Sequence, residues 1–411
     1  MTRTERTYYV ITCLYRLSWS ALGPTYAVFL IGRGLDILHV NLVLAVYLIT
    51  TCIFEVPTGA IADIFGRKAS FVASCVVRAA AFALYYFAHT FPVFLVAEFI
   101  DAIGTTLTTG ALDAWAVDGV HQEGGRRPVE QMFARANILG PLTAILGGLA
   151  ASQVAQHDIA LPWLIGTAGF LLCGAVGAAL MREPPRAPLP HSELPGYGPH
   201  ALALVIRECV AAVRAMPVMR RLCGLTLVAS FATVPVFQMW QPHMEALAGE
   251  GPWLLGWIWV GLNLAVMAGS ALISRLVPRL GRGGSLSLSF AWRGVTLGAA
   301  ALATAFMPAL VGFLLQQLSF GFNEPVEQAW MNEYASSSRR ATMLSLRSMA
   351  FTLGGATGLV CLGVVALYTS IATAWLVSAC LYLVVARGYL GLGRLARRHE
   401  GGVDAPLRAS A

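Results

Sequence analysis

Long hydrophobic runs, separated by short charged segments, occupy most of the chain. A helix needs about 20 apolar residues to cross the hydrocarbon core of a bilayer. Apolar stretches of that length begin near residues 8, 37, 69, 92, 131, 159, 220, 252, 285, 308, 342 and 369. The pattern therefore predicts twelve membrane-spanning helices and an all-α polytopic membrane protein.

The composition excludes a water-soluble globular protein. Of the 411 residues, 57% are hydrophobic and only 12% are charged, whereas a soluble protein has about 25% charged residues. The formal net charge of +7 does not indicate a nucleic-acid partner, because membrane proteins carry an excess of lysine and arginine on the cytoplasmic side. We expect membrane lipid around the spans and no nucleic acid as a partner.

The basic residues predict the orientation of the chain. Of the 28 lysines and arginines, 24 lie in the termini, in alternate loops or at helix ends on one side of the predicted membrane, and the opposite loops contain only Arg33. With an even number of spans both termini lie on one side, and the positive-inside rule places that side in the cytoplasm. We expect a location in a bacterial inner membrane.

A proline-rich segment at residues 183–190 is unsuited to a helix and divides the spans six plus six. We expect an N-terminal six-helix bundle at residues 1–182, a cytoplasmic linker at 183–219, a C-terminal six-helix bundle at 220–398 and a cytoplasmic tail at 399–411. Within the linker, residues 201–216 carry arginines and a glutamate among apolar residues. That pattern predicts an amphipathic helix in the membrane interface.

The two halves of the sequence repeat each other. Sliding the second half over the first by 215 residues superimposes a glycine–arginine pair, a buried arginine, an alanine–tryptophan pair and an acidic residue. These are Gly66-Arg67 with Gly281-Arg282, Arg78 with Arg293, Ala114-Trp115 with Ala329-Trp330, and Asp118 with Glu333. The repeat predicts two pseudo-symmetric six-helix bundles, and such bundles can rock against each other in an alternating-access cycle.

The loop after the second span carries a known signature. Its residues are Gly59, Asp63, Gly66, Arg67 and Lys68, and this pattern resembles the G-x-x-x-D-x-x-G-R-K signature of the major facilitator superfamily. The resemblance covers the whole chain, through the twelve spans, the central linker and a degenerate copy of the signature at Gly281-Arg282. It implies a secondary transporter that binds a small-molecule substrate and hydrolyses no ATP.

The signature also has a physical interpretation. We expect Gly59 to let the second span approach a neighbour closely, Gly66 to permit a tight turn, and Asp63 to accept hydrogen bonds from Arg67 or from a helix N-terminus. Such a latch would stabilise one access state. A loop whose charges only fix the topology is the alternative, and it explains Arg67 and Lys68 but not the aspartate or the glycines.

Nine ionisable residues lie within the predicted spans, where a charge is expensive and therefore marks a candidate site. The cations are Arg16, Arg78 and Arg293, and the acids are Glu55, Glu98, Asp101, Asp113, Glu324 and Glu327. Burial disfavours an ionised carboxyl group, so part of the acidic surplus could carry a coupling proton. A cationic or zwitterionic substrate that completes the charge balance is the alternative.

The placement of these residues predicts where a cavity lies. On a helical wheel, the polar residues of span four from Glu98 through Asp101 to Asp113 share one face, which we expect to line a water-filled path. Span ten brings Asn323, Glu324 and Glu327 together, and Pro325 is expected to distort the helix there. In span seven, Gln238 is a candidate for the outer half of the cavity.

The three arginines admit two interpretations. Arg78 and Arg293 occupy equivalent repeat positions, and pairing with Glu55, Asp113 or the acids of span ten would serve structure and gating alone. Arg16 has no counterpart in the second half, which favours a function in substrate or proton handling. All three could instead bind an anionic solute.

The leading hypothesis is therefore proton-coupled export of small amphipathic or cationic compounds. The alternative is proton-coupled or exchange uptake of an anionic solute bound by the intramembrane arginines. The sequence contains no phosphate-binding loop, metal-ligand spacing or nucleophile motif of a membrane enzyme, so we expect no cofactor, no metal and no enzymatic activity. We expect a monomer.

Overall fold

The computed structural model describes residues 1–124, 128–183, 207, 217–334 and 340–403. These residues form fifteen helices: α1 (Arg3–Ser20), α2 (Tyr26–Gly32), α3 (Ile37–Phe65), α4 (Arg67–Phe87), α5 (Phe91–Thr108), α6 (Ala111–Gln122), α7 (Val129–Val154), α8 (Leu161–Leu180), α9 (Pro217–Ala248), α10 (Pro252–Ala271), α11 (Ile273–Leu302), α12 (Phe306–Leu318), α13 (Phe320–Tyr334), α14 (Arg340–Tyr368) and α15 (Ile371–Val403).

The helices confirm the predicted all-α fold with twelve membrane spans. Within the described ranges, nine stretches are long and apolar enough to cross a bilayer: α3, α4, α5 with α6, α7, α8, α9, α10, α14 and α15. The other three predicted spans are α1 with α2, α11, and α12 with α13. Their apolar runs are interrupted by breaks or by charged residues, which is why they differ from the nine. The chain is an integral membrane protein.

Three of the spans are broken into two helices. Span four breaks at Thr109 and Gly110, where Gly110 takes a left-handed φ of 76° that favours glycine. Span ten is interrupted at Ser319. Pro325 lies inside helix α13, six residues after this interruption, and the distortion expected at this proline stays a prediction.

The first of two compact units comprises residues Met1–Tyr197 and Gly249–Asn263. Its core is aromatic: the ring of Trp163 stacks on Tyr85 at 3.9 Å between centroids and contacts the edge of Phe82 at 5.3 Å. A second cluster, built around Phe71 and Trp115, fills the space between α1, α4, α6 and α8. These rings hold α4 against α5 and α8.

The second unit comprises Gly198–Ala248 and Leu264–Ala411. Here α14 lies directly against α9, because a side chain at Gly354 or Gly358 would collide with the backbone carbonyls of Leu227 and Phe231. Ring stacking of Phe290 on Tyr389 at 5.4 Å joins α11 to α15. The division into bundles and linker at residues 182–183 and 219–220 stays a prediction, and the amphipathic helix expected at 201–216 lies outside the described residues apart from position 207.

Candidate functional site

The first unit encloses a cavity of about 520 Å³ between α1, α3, α4, α5, α6 and α7. Aromatic rings and hydroxyl groups surround two arginines and one carboxylate. The lining includes Tyr8, Thr12, Tyr15, Arg16, Trp19, Tyr47, Arg78, Thr105, Thr108, Asp113, Phe133 and Asn137. The structure therefore brings together Arg16, Arg78 and Asp113 from three different spans.

Arg78 is bound on three sides inside this unit. Its Nε and Nη2 atoms donate to the two carboxylate oxygens of Asp101 at 2.8 and 3.1 Å, and its Nη1 donates to the hydroxyl of Tyr15 at 2.7 Å. The ring of Phe170 lies 4.5 Å from the guanidinium carbon. This fork geometry is the strongest form of an arginine–carboxylate pair, and both side chains are buried.

The partner of Arg78 differs from the expected one. Glu55 is exposed, and Asp113 accepts a hydrogen bond from the hydroxyl of Tyr8 at 2.7 Å. Asp101 lies one helical turn before Gly104 on α5. Because Gly104 has no side chain, α4 and α5 approach closely at the level of Arg78. That close approach, and not the nearness of an acid in the sequence, selects the partner.

Arg16 and Asp113 present opposite charges to the same cavity. Both side chains are exposed within it, whereas Asp101 is occupied by Arg78. A solute in the cavity can thus meet a guanidinium and a carboxylate at once.

Glu98 departs from the predicted polar face of span four. Its side chain is only 4% exposed and does not line the cavity. The hydroxyl of Tyr85 donates to it, and the hydroxyls of Tyr26 and Tyr85 lie 3.2 Å apart. The polar face was expected to line a water-filled path along its whole length. It is instead buried at Glu98, which Tyr85 contacts, and it lines the cavity only from Thr105 onward.

The second unit encloses a cavity of about 410 Å³ between α9, α11, α13 and α14. Its lining includes Thr226, Ser230, Thr233, Phe290, Arg293, Phe320, Asn323, Glu327, Arg347, Ser348 and Phe351. Glu327 accepts from Nε and Nη2 of Arg347 at 3.2 and 3.1 Å and from the hydroxyl of Tyr389 at 2.6 Å. Both of its oxygens are therefore engaged.

Arg293 lies in the same cavity without such a partner. Its side chain is 3% exposed, and among the described residues its Nε and Nη2 atoms have no hydrogen-bond acceptor. Three rings surround the guanidinium carbon: Phe320 at 4.5 Å, Tyr382 at 4.8 Å and Phe290 at 5.5 Å. The expected pairing with an acid of span ten is not made by Glu327. The side chain of Glu324 lies outside the described residues.

Arg347 is a cavity residue that sequence reasoning assigned to the cytoplasmic helix ends. It lies seven residues after Arg340, at which α14 begins. Two helical turns correspond to about 10 Å of depth, and that spacing is the signal that would have placed it inside the membrane. Arg347 adds a cation to Arg16, Arg78 and Arg293, so the acidic surplus among the candidate residues is smaller than expected.

Two further candidates have different surroundings. The Oδ1 atom of Asn323 accepts from the hydroxyl of Ser289 at 2.5 Å, and the amide lines the second cavity as expected. Gln238 is buried in α9 but lines neither cavity. Across the described ranges no group of three or more His, Cys, Asp or Glu side chains is arranged to hold a metal ion.

The signature loop makes a network that differs from the expected one. Arg67 pairs with Asp118 and not with Asp63, which is exposed. The N-terminus of α4 is capped by Glu183, whose two carboxylate oxygens accept from the backbone N–H groups of Arg67 and Lys68, each at 2.8 Å. The acceptors are thus Asp118 of α6 and Glu183, which follows α8, and not the predicted Asp63.

The predictions for the two glycines of the loop have different outcomes. Gly66 makes the predicted turn, with φ at 99°. Gly59 does not mediate a close approach, because a side chain there would meet nothing within 4 Å.

Comparison with known proteins supplies the family. The sequence profile of the Major Facilitator Superfamily matches residues 8–289, which is more than half of the chain. The chain belongs to the Major Facilitator Superfamily.

Relatives in the superfamily are distant. The chain is 22% identical over 392 residues to the uncharacterized MFS-type transporter YxaM of Bacillus subtilis (strain 168), a match that covers 92% of this chain and 95% of YxaM. It is 32% identical over 123 residues to the multidrug resistance protein MdtH of Shigella dysenteriae serotype 1, covering 30% of this chain and 29% of MdtH.

Solved structures of the superfamily share the fold. The nucleoside transporter NupG superimposes with a TM-score of 0.77 at 15% identity, covering 95% of this chain and 99% of NupG. A D-xylose–proton symporter gives a TM-score of 0.70 at 14% identity, covering 94% and 96% of the two chains.

Membership in the superfamily defines the general function. Proteins of this superfamily are transporters that bind small-molecule substrates, and the family together with its structural neighbours indicates a transporter and not an enzyme. Each cavity is therefore a candidate binding site for a transported solute.

Proposed function

We propose that the chain is a secondary active transporter that works by alternating access and exports small amphipathic compounds in exchange for protons. The observation that carries this proposal is the pair of cavities, each of which sets aromatic rings beside charged side chains deep within the spans. Rings bind the apolar body of an amphipathic solute, and the charged groups bind its polar end. The partial likeness to a multidrug resistance protein supports export.

Asp113 is the proposed coupling residue. Among the described intramembrane acids, Asp101 and Glu327 are held by arginines, and Glu98 lies outside the cavities in a shell of aromatic residues. Asp113 is the carboxylate that faces the first cavity with a tyrosine hydroxyl as its partner. Protonation there removes the negative charge that would bind a cationic group of the solute, so a proton and such a group compete for Asp113. Glu324 remains a second candidate from the sequence.

The charge balance bears on the class of solute. Among the described residues, Arg16 faces Asp113 in the first cavity, where Arg78 is already paired with Asp101, and the second cavity holds Arg293 beside the Arg347–Glu327 pair. This balance supports an amphipathic solute but not a preference for cations. It also favours the second candidate function, transport of an anionic solute held by the intramembrane arginines, with uptake as its direction.

The remaining parts of the proposal concern location and assembly. The distribution of basic residues supports cytoplasmic termini in a bacterial inner membrane. Exposed apolar side chains along the spans, such as Val295, Val311 and Val384, support contact with lipid. Since two six-helix bundles make a complete transporter, we propose a monomer.

The test is flux in proteoliposomes with an imposed pH gradient. Three solutes share one aromatic body and differ in charge: naphthylethylamine, naphthylalanine and naphthaleneacetate. We expect the gradient to drive at least one of them in wild type, and Asp113→Asn to retain exchange while losing the dependence on the gradient. Asp158→Asn, in a loop outside both cavities, is the matched control and should behave as wild type.

Other outcomes would refute specific parts of the proposal. A gradient that drives none of the solutes argues against proton coupling. Loss of gradient dependence in Glu98→Gln, with Asp113→Asn unchanged, moves the coupling site to the dry half of span four. Accumulation of the anion inside right-side-out vesicles replaces export by the second candidate function.

A further inference from the structure

The two halves share one contact that fixes their register. In the first unit the hydroxyl of Ser74 donates to the carbonyl of Gly104 at 2.6 Å and also contacts Thr108. Moving every position by 215 residues gives Ser289, Ser319 and Asn323. The hydroxyl of Ser289 indeed contacts the carbonyl of Ser319 at 3.5 Å and the side chain of Asn323 at 2.5 Å. Equivalent positions on α4–α5 and on α11–α12–α13 are thereby established.

The same register places Gln316 where the first half has Asp101. Contacts bracket this position: Trp292, next to Arg293, donates its indole N–H to the carbonyl of Leu315, next to Gln316, at 2.7 Å. Arg78 uses Nε and Nη2 to bind the two oxygens of Asp101. The same two atoms of Arg293 are buried without an acceptor among the described residues, and Oε1 of Gln316 is buried without a donor.

The charged and aromatic residues around Arg293 do not supply that acceptor, and Oε1 of Gln316 makes no hydrogen bond to it. Glu327 spends one oxygen on Arg347 and the other on Tyr389. The rings of Phe290, Phe320 and Tyr382 attract the cation through their faces, but they accept no paired N–H bonds. A buried donor without an acceptor costs free energy, and a charged donor costs the most.

The cavity beside Arg293 is suited to a carboxylate with an apolar body. Asn323 adds a second buried donor, since its Nδ2 atom also lacks a partner among the described residues. Phe290, Phe320 and Phe351 supply apolar walls in the same cavity of about 410 Å³. The described charged side chains of the lining sum to one positive charge, which a monoanion neutralises.

We propose that Arg293 binds a carboxylate of the transported solute through its Nε and Nη2 atoms, in the way that Arg78 binds Asp101. The solute thus supplies the acid that the second half of the repeat lacks. This inference rests on the proposed function only in calling the ligand a transported solute. The phosphate of an anionic lipid presents the same pair of oxygens, and the experiment separates the two sources.

Equilibrium binding to the purified full chain in nanodiscs is the test, and it requires no transport. The probes are naphthaleneacetate, its amide naphthaleneacetamide and the cation naphthylethylamine, in nanodiscs of phosphatidylcholine. We expect the carboxylate to bind at least about tenfold more tightly than the amide, since hydrogen bonds to charged groups have that effect. Arg293→Lys keeps the charge but loses the planar fork, and it should remove that preference.

A second variant keeps the proposal falsifiable if Arg293→Lys folds poorly. Gln316→Asp places an internal carboxylate where Asp101 stands in the first half, so it should occupy Arg293 and weaken carboxylate binding by about tenfold or more. Gln317→Asp is the matched control, with the same change on the neighbouring buried residue of α12. It should leave the preference for the carboxylate in place.

Several results would overturn the proposal. These are equal binding of carboxylate and amide, unchanged binding in both Arg293→Lys and Gln316→Asp, or equal losses in Gln316→Asp and Gln317→Asp. Loss of probe binding in phosphatidylglycerol nanodiscs would assign the site to lipid instead. Carboxylate binding without any gradient-driven flux would support this inference and refute the proposed function. Gradient-driven flux without a preference for the carboxylate would support the proposed function and refute this inference.

Discussion

Arg78 and Arg293 occupy the same place in the two halves of the chain, yet their surroundings differ. Each is buried, each lies among three aromatic rings, and each lines its cavity. Arg78 binds Asp101 through a two-bond fork, whereas the corresponding atoms of Arg293 have no acceptor among the described residues. At the position of the aspartate that binds Arg78, the second half has Gln316.

This comparison shows how a duplicated scaffold can specialise. The shared serine contact and the shared arginine keep both halves in the same register, so a change of one partner alters chemistry without altering the fold. In the first half the arginine contributes to the packing of α4 on α5. In the second half, by our proposal, the same group remains available to a ligand.

The largest expected effect comes from breaking the ion pair between Arg78 and Asp101. Asp101→Asn leaves Arg78 buried without its charge partner, which typically costs about 3–5 kcal/mol. Chemical unfolding in detergent micelles should show this loss in the free energy of unfolding. A loss below about 1 kcal/mol would mean that Tyr15 and the rings suffice to hold the cation.

Adding the missing acid should have the opposite sign. Gln316→Asp is expected to stabilise the chain by about 1.5–3 kcal/mol, the range for hydrogen bonds to charged groups, because Arg293 gains an acceptor. The same unfolding experiment measures it. Gln317→Asp should destabilise instead, since it buries a carboxylate without the fork, and equal effects of the two variants would contradict the equivalence of Gln316 and Asp101.

The shared serine contact should give matching, smaller effects. Ser74→Ala and Ser289→Ala each remove one hydroxyl donor from the contact between neighbouring spans. We expect each to lower the free energy of unfolding by about 1 kcal/mol. If only one of the two variants loses stability, the halves do not share this contact as a structural feature.

The smallest expected effect is that of removing the unpaired cation. Arg293→Met deletes a buried charge that has no carboxylate partner among the described residues, so the free energy of unfolding should change by less than about 1 kcal/mol, or increase. Arg78→Met, the matched change in the first half, should destabilise strongly because Asp101 is then left alone. Similar losses in the two variants would show that Arg293 is as firmly bound as Arg78.

The sequence predicted the membrane fold because hydrophobic length and basic loops follow directly from the bilayer. The repeat offset likewise located both arginines. The sequence did not predict which acid binds Arg78. Asp101 lies on the predicted polar face, but it becomes the partner because Gly104 packs closely against α4 at the level of Arg78. A helical wheel predicts which residues share a face of one helix. It does not predict how far the neighbouring helix is shifted along its own axis.

The sequence also failed to predict the depth of Arg347 in the membrane and the burial of Glu98. Arg347 follows closely on the basic pair Arg339-Arg340, which the sequence assigns to a loop, so it was counted with that loop although its side chain binds Glu327. Glu98 shares the predicted polar face of span four with Asp113, but it is buried and accepts a hydrogen bond from Tyr85. Whether a polar face meets water depends on side chains of other spans, which no single-helix pattern contains.

The broken fourth span bears on how the repeated gene can evolve. Gly110 adopts a φ of 76°, and the residue at the matching position of the second half is Pro325, whose ring fixes φ near −65°. Copying the second repeat over the first would therefore put a proline ring where φ is positive, an angle that proline cannot adopt. The two halves are not interchangeable at this codon, although they share the serine contact and the buried arginine.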